Sequence, residues 1–468
     1  MVRKEMFILL NKIGNWTTSQ KIASSFASVI FIGSLLLSLP ISQLSTSNAT
    51  YIDNLFSAVS MVCVTGLFTE SIADSYTLFG QIICMLLIQV GGLGLMTLIA
   101  YFITQLSKNK IGFRNKLAVQ EGINRGDAKD FRTYIGTIMK YTAIIEGTGM
   151  VLLSFYFVPV FGFAKGLFIS MFLSISAFCN AGFDTMGNSS LIEYAHNPGI
   201  NLVIAALIIL GGIGFSVWFD VTNLFHATAK MKQKPPLMRR LRSLTLHTRL
   251  AILMTIGLLV GGTLLFLIFE YTNDASIGTF SFGDKVLASF FHTVTMRTAG
   301  FASLDYSTIT PISMFMSVVT MFIGGSPGGT AGGMKTTTFA IVFIMIYNEI
   351  RGQSNVNLFN HTIPKNVVRQ ALIIFVALLT TLTVGTSLLL LFNPGTNPLF
   401  LLFEAVSALA TVGVSANVTA SLDTPSLIVD MFLMFAGRIG PITLVDSLIR
   451  KNKAVKDIAY TKGSIIIG

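Results

Sequence analysis

Charged residues are scarce in this sequence. Of its 468 residues only 11% are Asp, Glu, Lys or Arg, whereas 52% are hydrophobic; a soluble domain carries roughly 25% charged residues. A water-soluble globule of this size is therefore excluded, and the chain is expected to lie in a membrane. Its apolar residues form long unbroken runs such as Ile82 to Ile103. An outer-membrane β-barrel is disfavoured, because barrel strands alternate apolar and polar residues.

Cysteine and histidine are also rare. The three cysteines, Cys63, Cys84 and Cys179, lie in apolar stretches, and their odd number and spacing fit neither a disulfide framework nor a metal site. They are predicted to be buried as small hydrophobic residues. The five histidines are scattered, with no metal-binding His/Glu spacing on any predicted helix. We predict that the chain is not an enzyme and has no cofactor of its own.

The basic residues are unevenly placed. Lys and Arg exceed Asp and Glu by 32 to 21, and they cluster at 3–21, 108–132, 230–249, 351–369 and 450–462. Since the cytoplasmic segments of membrane proteins are rich in Lys and Arg, both termini are predicted to be cytoplasmic and the acidic loops between the clusters to be outside. The protein is expected in the plasma membrane. Membrane segments separate the basic clusters, so nucleic acid is not an expected partner.

A fourfold internal repeat runs through the sequence. Single glycines stand in the motifs VTGL, NAGFD, RTAGF and TVGVS, spaced 116, 118 and 113 residues apart. A phenylalanine precedes each glycine by ten residues, and a residue favoured at helix N-caps precedes it by sixteen. The glycines are Gly66, Gly182, Gly300 and Gly413, the phenylalanines Phe56, Phe172, Phe290 and Phe403, and the cap residues Thr50, Gly166, Asp284 and Asn397. This register predicts four copies of one structural unit.

Each unit is predicted to contain a spanning helix, a short capped helix and a second spanning helix. The first helices are expected at about 22–39, 134–158, 249–271 and 367–392, and the second at about 78–103, 200–225, 311–347 and 427–445. A short helix of about 12 residues is roughly 18 Å long, about half of a ~30 Å hydrocarbon core. It must enter the membrane and turn back. Exposed backbone at such a turn needs protein or water around it, so the four turns are predicted to meet on one axis.

The units are assigned to consecutive parts of the chain. They are expected at 1–107, which includes the cytoplasmic N-terminus, 108–228, 229–348 and 349–449, and a cytoplasmic tail follows at 450–468. All four units start and end on the cytoplasmic side. The repeats are therefore parallel rather than inverted.

The residues at the four turns are small and mostly uncharged. Glycine permits backbone conformations that other residues resist, and four such loops around an axis can present carbonyl oxygens that replace the water shell of a monovalent cation. The carbonyl end of each short helix, with a charge of roughly −0.5, would favour a cation there. The predicted cation-binding residues are Val64, Thr65, Gly66, Asn180, Ala181, Gly182, Thr298, Ala299, Gly300, Thr411, Val412 and Gly413. For the downstream glycines at 91–94 and 211–214, close helix packing is the favoured interpretation.

With these motifs the chain resembles the Trk/Ktr/HKT superfamily of potassium transporters, and within it most closely the Ktr type. Members of this superfamily have four helix, pore loop, helix repeats with one filter glycine each, and the resemblance covers nearly the whole sequence. It implies an all-α integral membrane protein with eight transmembrane helices and four half-spanning pore helices in pseudo-fourfold symmetry around one ion pore. Gly66 stands where sodium-preferring plant relatives have serine, which implies selectivity for potassium.

The third unit departs from its siblings in its second helix. Residues 324–338 read GGSPGGTAGGMKTTT, and so many glycines with a proline cannot continue a straight helix. The segment is predicted to be a loop within the membrane, below the filter, and the resemblance implies that it is the gate. A phosphate-binding loop of the type G-x-x-x-x-G-K-[ST] is not matched, because Met334 separates Gly333 from Lys335.

Two basic residues are predicted to act at this loop. Arg438 stands in the fourth unit where each sibling has a glycine, and a charge at membrane depth costs at least about 2.5 kcal/mol. We predict that Arg438 and Lys335 form an electrostatic barrier and donate to carbonyls of the loop; pairing of Arg438 with an acidic residue or a helix end is the structural alternative. Arg297 is predicted to anchor the third turn, with Glu404 as a candidate partner. The predicted gate residues are Gly324, Gly325, Ser326, Gly328, Gly329, Thr330, Gly332, Gly333, Lys335 and Arg438.

Three classes of function compete for such a chain. A channel-like pore for potassium uptake is favoured. A sodium-coupled secondary transporter with alternating access is the alternative, but that class is built from inverted repeats. An intramembrane enzyme is disfavoured, because no catalytic pair of residues stands out.

Further expectations rest on the resemblance alone. It implies a homodimer in membrane lipid, seated on a cytoplasmic ring of nucleotide-binding regulatory subunits that contact the basic loops and the C-terminal tail. Potassium is the expected permeant ion. The residues leave open whether sodium stimulates transport.

Overall fold

The computed structural model describes residues 16–94, 131–187, 190–229 and 236–448. In these ranges nearly all regular structure is helical. The helices are α1 Thr18–Leu37, α2 Tyr51–Cys63, α3 Ile72–Ser75, α4 Leu78–Leu93, α5 Phe131–Phe161, α6 Phe163–Cys179, α7 Pro198–Gly212, α8 Phe215–Ala229, α9 Leu237–Arg242, α10 Leu246–Glu270, α11 Phe282–Thr295, α12 Pro311–Phe322, α13 Thr336–Ile350, α14 Lys365–Phe392, α15 Pro398–Ala410, α16 Thr424–Ile439 and α17 Pro441–Leu448. A small antiparallel hairpin pairs β1 Asn357–Leu358 with β2 His361–Thr362.

Four long helices, α1, α5, α10 and α14, begin the four units. Each contains an apolar stretch of 19 to 28 residues, which at 1.5 Å per residue matches the thickness of a hydrocarbon core. Large apolar side chains on their surfaces, such as Phe155 and Ile268, are exposed, because lipid rather than water surrounds a membrane helix. The helical, membrane-spanning fold class predicted from composition is confirmed.

The short helices α2, α6, α11 and α15 end at the four predicted turns. Thr50 and Asn397 are the N-caps of α2 and α15, as predicted. The predicted caps Gly166 and Asp284 are wrong. Gly166 lies inside α6, where a Cβ would be 2.5 Å from a carbonyl oxygen of α5, so its small size serves helix packing. Asp284 is in the first turn of α11, and its N–H donates to the true cap, Ser281.

The second helix of the second and fourth units breaks at a glycine. Helices α7 and α8 meet around Gly214 (φ 99°) with a bend of 95°, and α16 gives way to α17 at Gly440 (φ 91°). These φ values lie in the region that favours glycine, so the continuous helices predicted over 200–225 and 427–445 are wrong. Helix α4 ends at Gly94 (φ 78°), and the predicted continuation to 103 lies outside the described residues.

In the third unit the helix is divided within the segment 324–338, as predicted, although Thr336, Thr337 and Thr338 belong to the next helix rather than to the loop. Helix α12 ends at Phe322 and α13 begins at Thr336. We call residues 323–335 the glycine loop. The division of second helices is thus a property of the second, third and fourth units, and among these described breaks the third is the one formed by a long loop.

In the first, second and fourth units, small residues bring the second helix against the short helix of the same unit. A Cβ on Gly91, Gly211 or Gly437 would overlap with a carbonyl oxygen near the end of α2, α6 or α15 respectively. Close packing, the interpretation favoured for the glycines at 91–94 and 211–214, therefore describes Gly91 and Gly211, while Gly94 and Gly214 end or bend the helix. The three cysteines are buried and free, as predicted.

Candidate functional site

The four turns share one backbone conformation. Each turn contains a residue in the left-handed region, then a residue outside it, then a glycine with φ between 70° and 103°. The left-handed residue directly follows the short helix in three units, whereas Met296 and Arg297 separate it from α11 in the third. The left-handed non-glycine residues are Val64 (57°), Asn180 (59°), Thr298 (67°) and Thr411 (52°). A left-handed conformation costs an L-residue roughly 1–2 kcal/mol, so the surroundings must hold these four residues in place.

The four glycines converge on a single centre. A Cβ built on any of them would lie too close to a carbonyl oxygen of the next unit, that of the residue just before its glycine. The glycine of the fourth unit faces the first unit in the same way, which closes the circle. The pairs are Gly66 with Ala181 (2.7 Å), Gly182 with Ala299 (2.7 Å), Gly300 with Val412 (2.6 Å) and Gly413 with Thr65, where the Cβ would overlap the oxygen. We call this closed arrangement the glycine ring. It brings together the predicted residues of all four turns, and all of them are buried.

Hydroxyl groups six residues before the glycine hold three of the turns. Ser60 Oγ accepts from the N–H of Gly66 (3.1 Å), and Ser407 Oγ accepts from that of Gly413 (3.0 Å). In the second unit Ser176 Oγ accepts from the N–H of Phe183, the residue after the glycine (3.0 Å). Sequence reasoning missed these serines, although their shared offset in three units was a usable signal.

The third turn is held differently. Val294 occupies the position of the serines, and the neighbouring Thr295 donates to the carbonyl of Phe301 instead (2.8 Å). Arg297 is buried and donates to Thr255 Oγ1 (3.3 Å), which ties the turn to α10. The suggested pairing of Arg297 with Glu404 is wrong, since Glu404 accepts hydrogen bonds from hydroxyl groups of its own unit.

The glycine loop packs into the break of the second unit. The N–H groups of Ser326 and Thr330 donate to the carbonyls of Gly212 (3.0 Å) and Gly211 (3.1 Å) at the end of α7. In return the carbonyl of Gly328 accepts from the N–H of Phe215, at the start of α8 (2.9 Å). The loop thereby satisfies backbone groups that a bent helix leaves unpaired.

The same loop contacts the first residues of three turns. The hydroxyl of Thr330 lies 3.0 Å from the side-chain amide of Asn180, and the N–H of Gly332 donates to Thr298 Oγ1 (3.2 Å). A Cβ on Gly332 would overlap Thr411 Oγ1. The glycine loop therefore lies directly against the glycine ring, on the side where the short helices end.

Arg438 joins three units at this level. One of its nitrogens donates to the carbonyl of Thr330 in the glycine loop (2.6 Å), and another donates to the carbonyl of Gly91 in the last turn of α4. Lys335 donates to the carbonyl of Ala331 within the loop (2.6 Å). Among the described residues no acidic side chain forms an ion pair with Arg438. The guanidinium thus combines the predicted loop contact with the alternative contact to a helix end.

Residues 11–453 match the family model described as TrkH, cation transport protein. The chain belongs to the TrkH family. This family is one of transport proteins, in agreement with the prediction that the chain is not an enzyme.

Two curated relatives and one solved structure define its place in the family. The "Potassium/sodium uptake protein NtpJ" of Enterococcus hirae is 36% identical over 453 residues, covering 96% of this chain and 97% of the relative. The "Ktr system potassium uptake protein B" of Bacillus subtilis is 35% identical over 466 residues, covering 99% and 100%. The crystal structure of the potassium transporter TrkH from Vibrio parahaemolyticus covers 91% of this chain and 85% of that one, with a TM-score of 0.67 at 18% identity. The last comparison supports the fold.

Proposed function

We propose that this protein is a pore for potassium uptake across the plasma membrane and that the glycine ring is its selectivity filter. The main observation that supports this proposal is the closed circle in which each filter glycine lies against a carbonyl of the next unit. Carbonyl oxygens at such close quarters can replace the water around a monovalent cation. Curated relatives of nearly equal length are named as potassium or potassium/sodium uptake proteins, which supports potassium as the ion.

The negative ends of the short helices support a cation rather than an anion. Helices α2, α6, α11 and α15 all end at or next to the turns that form the ring, and the C-terminal end of each carries roughly −0.5 charge. Among the described residues, no group of three or more His, Cys, Asp or Glu could hold a tightly bound metal ion. The ring is proposed to bind an ion only during its passage. The distribution of basic residues supports a cytoplasmic location for both termini and for the unit boundaries.

The glycine loop is proposed to be the gate. It lies against the ring through Thr330 and Gly332. Arg438 links it to α4 by donating to one carbonyl of the loop and one of α4, and we call this link the clip. Because hydrogen bonds from charged groups contribute roughly 1.5–3 kcal/mol each, the clip would hold the loop in the closed position. Transport would then require that this clip opens.

A cytoplasmic regulatory partner is proposed to open it. Relatives named as parts of a "Ktr system" support a multi-component assembly, and we propose a homodimer on a ring of nucleotide-binding subunits. The exposed hairpin β1–β2 and the basic residues around it, Arg351 and Lys365, offer a surface for this contact.

Ion flux in proteoliposomes tests the proposal. The purified chain should carry potassium and rubidium well and sodium poorly, and potassium-limited growth should be restored in cells that lack their own uptake systems. Equal flux of sodium and potassium would contradict the assigned filter. Potassium flux that is driven by a sodium gradient would instead favour the sodium-coupled secondary transporter.

A further inference from the structure

Behind the fourth turn lies a buried carboxylate that the proposed ion path does not use. Glu404 belongs to the short helix α15, nine residues before Gly413, and none of its surface is exposed. The other units have Ser57, Leu173 and Phe291 at this offset. An acidic residue at membrane depth is costly and needs a reason.

The Glu404 carboxylate is bonded to the segment that leaves the ring. Ser415 Oγ donates to one of its oxygens (2.6 Å) and Thr419 Oγ1 donates to the other (2.5 Å). Ser415 Oγ in turn accepts from the N–H groups of Val418 (3.1 Å) and Thr419 (3.4 Å). Residues 415–419 thus form a compact turn, and the carboxylate holds both of its ends against α15.

A second buried acid lies near Glu404 and has no hydrogen-bond partner among the described residues. Asp430 in α16 is fully buried, and both of its carboxylate oxygens lack a partner among the described residues. Helices α15 and α16 run side by side, with Gly437 against Leu409, which places Asp430 near the level of Glu404, its electrostatic neighbour. Two adjacent buried charges with no cation would be prohibitively unstable.

We propose that Glu404, as the ionised member of this pair, is a positioning residue for the fourth segment of the filter, while Asp430 carries a proton. The assignment follows from the donors: Glu404 receives two hydroxyl hydrogen bonds, which stabilise its negative charge, whereas Asp430 receives none. We call the two hydrogen bonds to Glu404 the clamp. The clamp fixes Ser415, only two residues beyond Gly413. It therefore determines where the Gly413 end of the ring can lie, and with it the size of the cation that the ring accepts. The inference rests on the proposed filter.

The filter's discrimination between potassium and sodium is the readout, because a purely structural defect would lower the flux of both ions together. Glu404→Gln keeps the shape of the side chain but loses the charge and one acceptor. We expect the ratio of potassium to sodium flux in proteoliposomes to fall about tenfold, the effect of one lost charge-assisted hydrogen bond. Ser415→Ala and Thr419→Val remove the donors from the other side and should lower the ratio as well. The double variant Glu404→Gln/Thr419→Val should be no worse than Glu404→Gln, because the Thr419 hydroxyl bonds only to Glu404 among the described residues, so both changes act on one bond.

Asp430→Asn is the matched control, since an amide imitates a protonated carboxyl group. It should leave the ratio unchanged. A ratio that is lost in Asp430→Asn as completely as in Glu404→Gln would overturn the assignment of the proton. If Glu404→Gln does not fold, the two donor variants decide, and an unchanged ratio in both overturns the clamp. Gly413→Ala in the same assay distinguishes failure of the proposed filter from failure of the proposed role of Glu404. If Gly413→Ala also leaves the ratio unchanged, the proposed filter is refuted. If the ratio falls in Gly413→Ala alone, only the role of Glu404 is refuted.

Discussion

Replacing one ring glycine by alanine is the sharpest perturbation of the proposed filter. Gly182 has φ 70°, and this left-handed conformation costs an alanine roughly 1–2 kcal/mol. The added Cβ would also lie 2.7 Å from both the carbonyl oxygen of Ala299 and the Cα of Gly300, well inside van der Waals contact. No flexible side chain can move away there, because both neighbours are backbone of the next unit. A total cost of about 1.5–3 kcal/mol would lower the fraction of molecules with an intact ring roughly tenfold or more.

Potassium and sodium flux into proteoliposomes measures this effect. Gly182→Ala should lower potassium flux at least tenfold, or lose the preference for potassium, while the amount of folded protein stays similar. Gly257→Ala is the matched control: Gly257 lies within α10, and a Cβ there meets no atom within 4 Å. Alanine in a helix is more favourable than glycine by about 0.5–1 kcal/mol, so this variant should transport normally. Equal flux and equal selectivity in both variants would refute the assignment of the ring as the filter.

Three further predictions concern the gate, the turns and the broken helices. Arg438→Gln should raise potassium flux in the absence of any partner about tenfold, because a charge-assisted clip is lost, whereas Lys165→Gln, at an exposed position in the first turn of α6, should not change it; a lower flux would contradict the gate. Ser60→Ala leaves a buried N–H unpaired at a cost of about 1–3 kcal/mol, so potassium should protect the variant against thermal unfolding less than it protects the native protein, and unaltered protection would argue against the support role. Gly437→Ala should lower the melting temperature much more than Gly440→Ala, because a Cβ on Gly437 overlaps a carbonyl while one on Gly440 meets nothing closer than 3.9 Å; the reverse order would show that strain at the break outweighs packing.

Several features of the fold followed from the sequence because they depend on local chemistry. The apolar runs predicted four long helices, and the cap residues Thr50 and Asn397 predicted where two short helices begin. The proline and glycines after Phe322 predicted the division of α12 from α13. Each of these features depends on residues within one or two turns of the chain, which is why a pattern could reveal it.

Other features could not be predicted, because they depend on partners far away in sequence. The bend at Gly214 exists where the glycine loop, more than a hundred residues later, supplies partners for Gly211 and Gly212. The partners of Arg438 lie 108 and 347 residues away, and no pattern distinguishes them from a nearby acid. The caps at Gly166 and Asp284 were misplaced because the same residue types also serve helix packing and first turns.

The sequence by itself determined that the chain spans a membrane, that it repeats one unit four times and that a glycine marks each turn. Composition and spacing are enough for these conclusions, since lipid excludes charge and unsatisfied backbone wherever it meets the chain. Only the tertiary structure decided that the glycines meet carbonyls of neighbouring units, and that Glu404 faces two hydroxyl groups rather than Arg297. Those contacts arise from packing between helices, and packing depends on which surfaces the whole chain brings together.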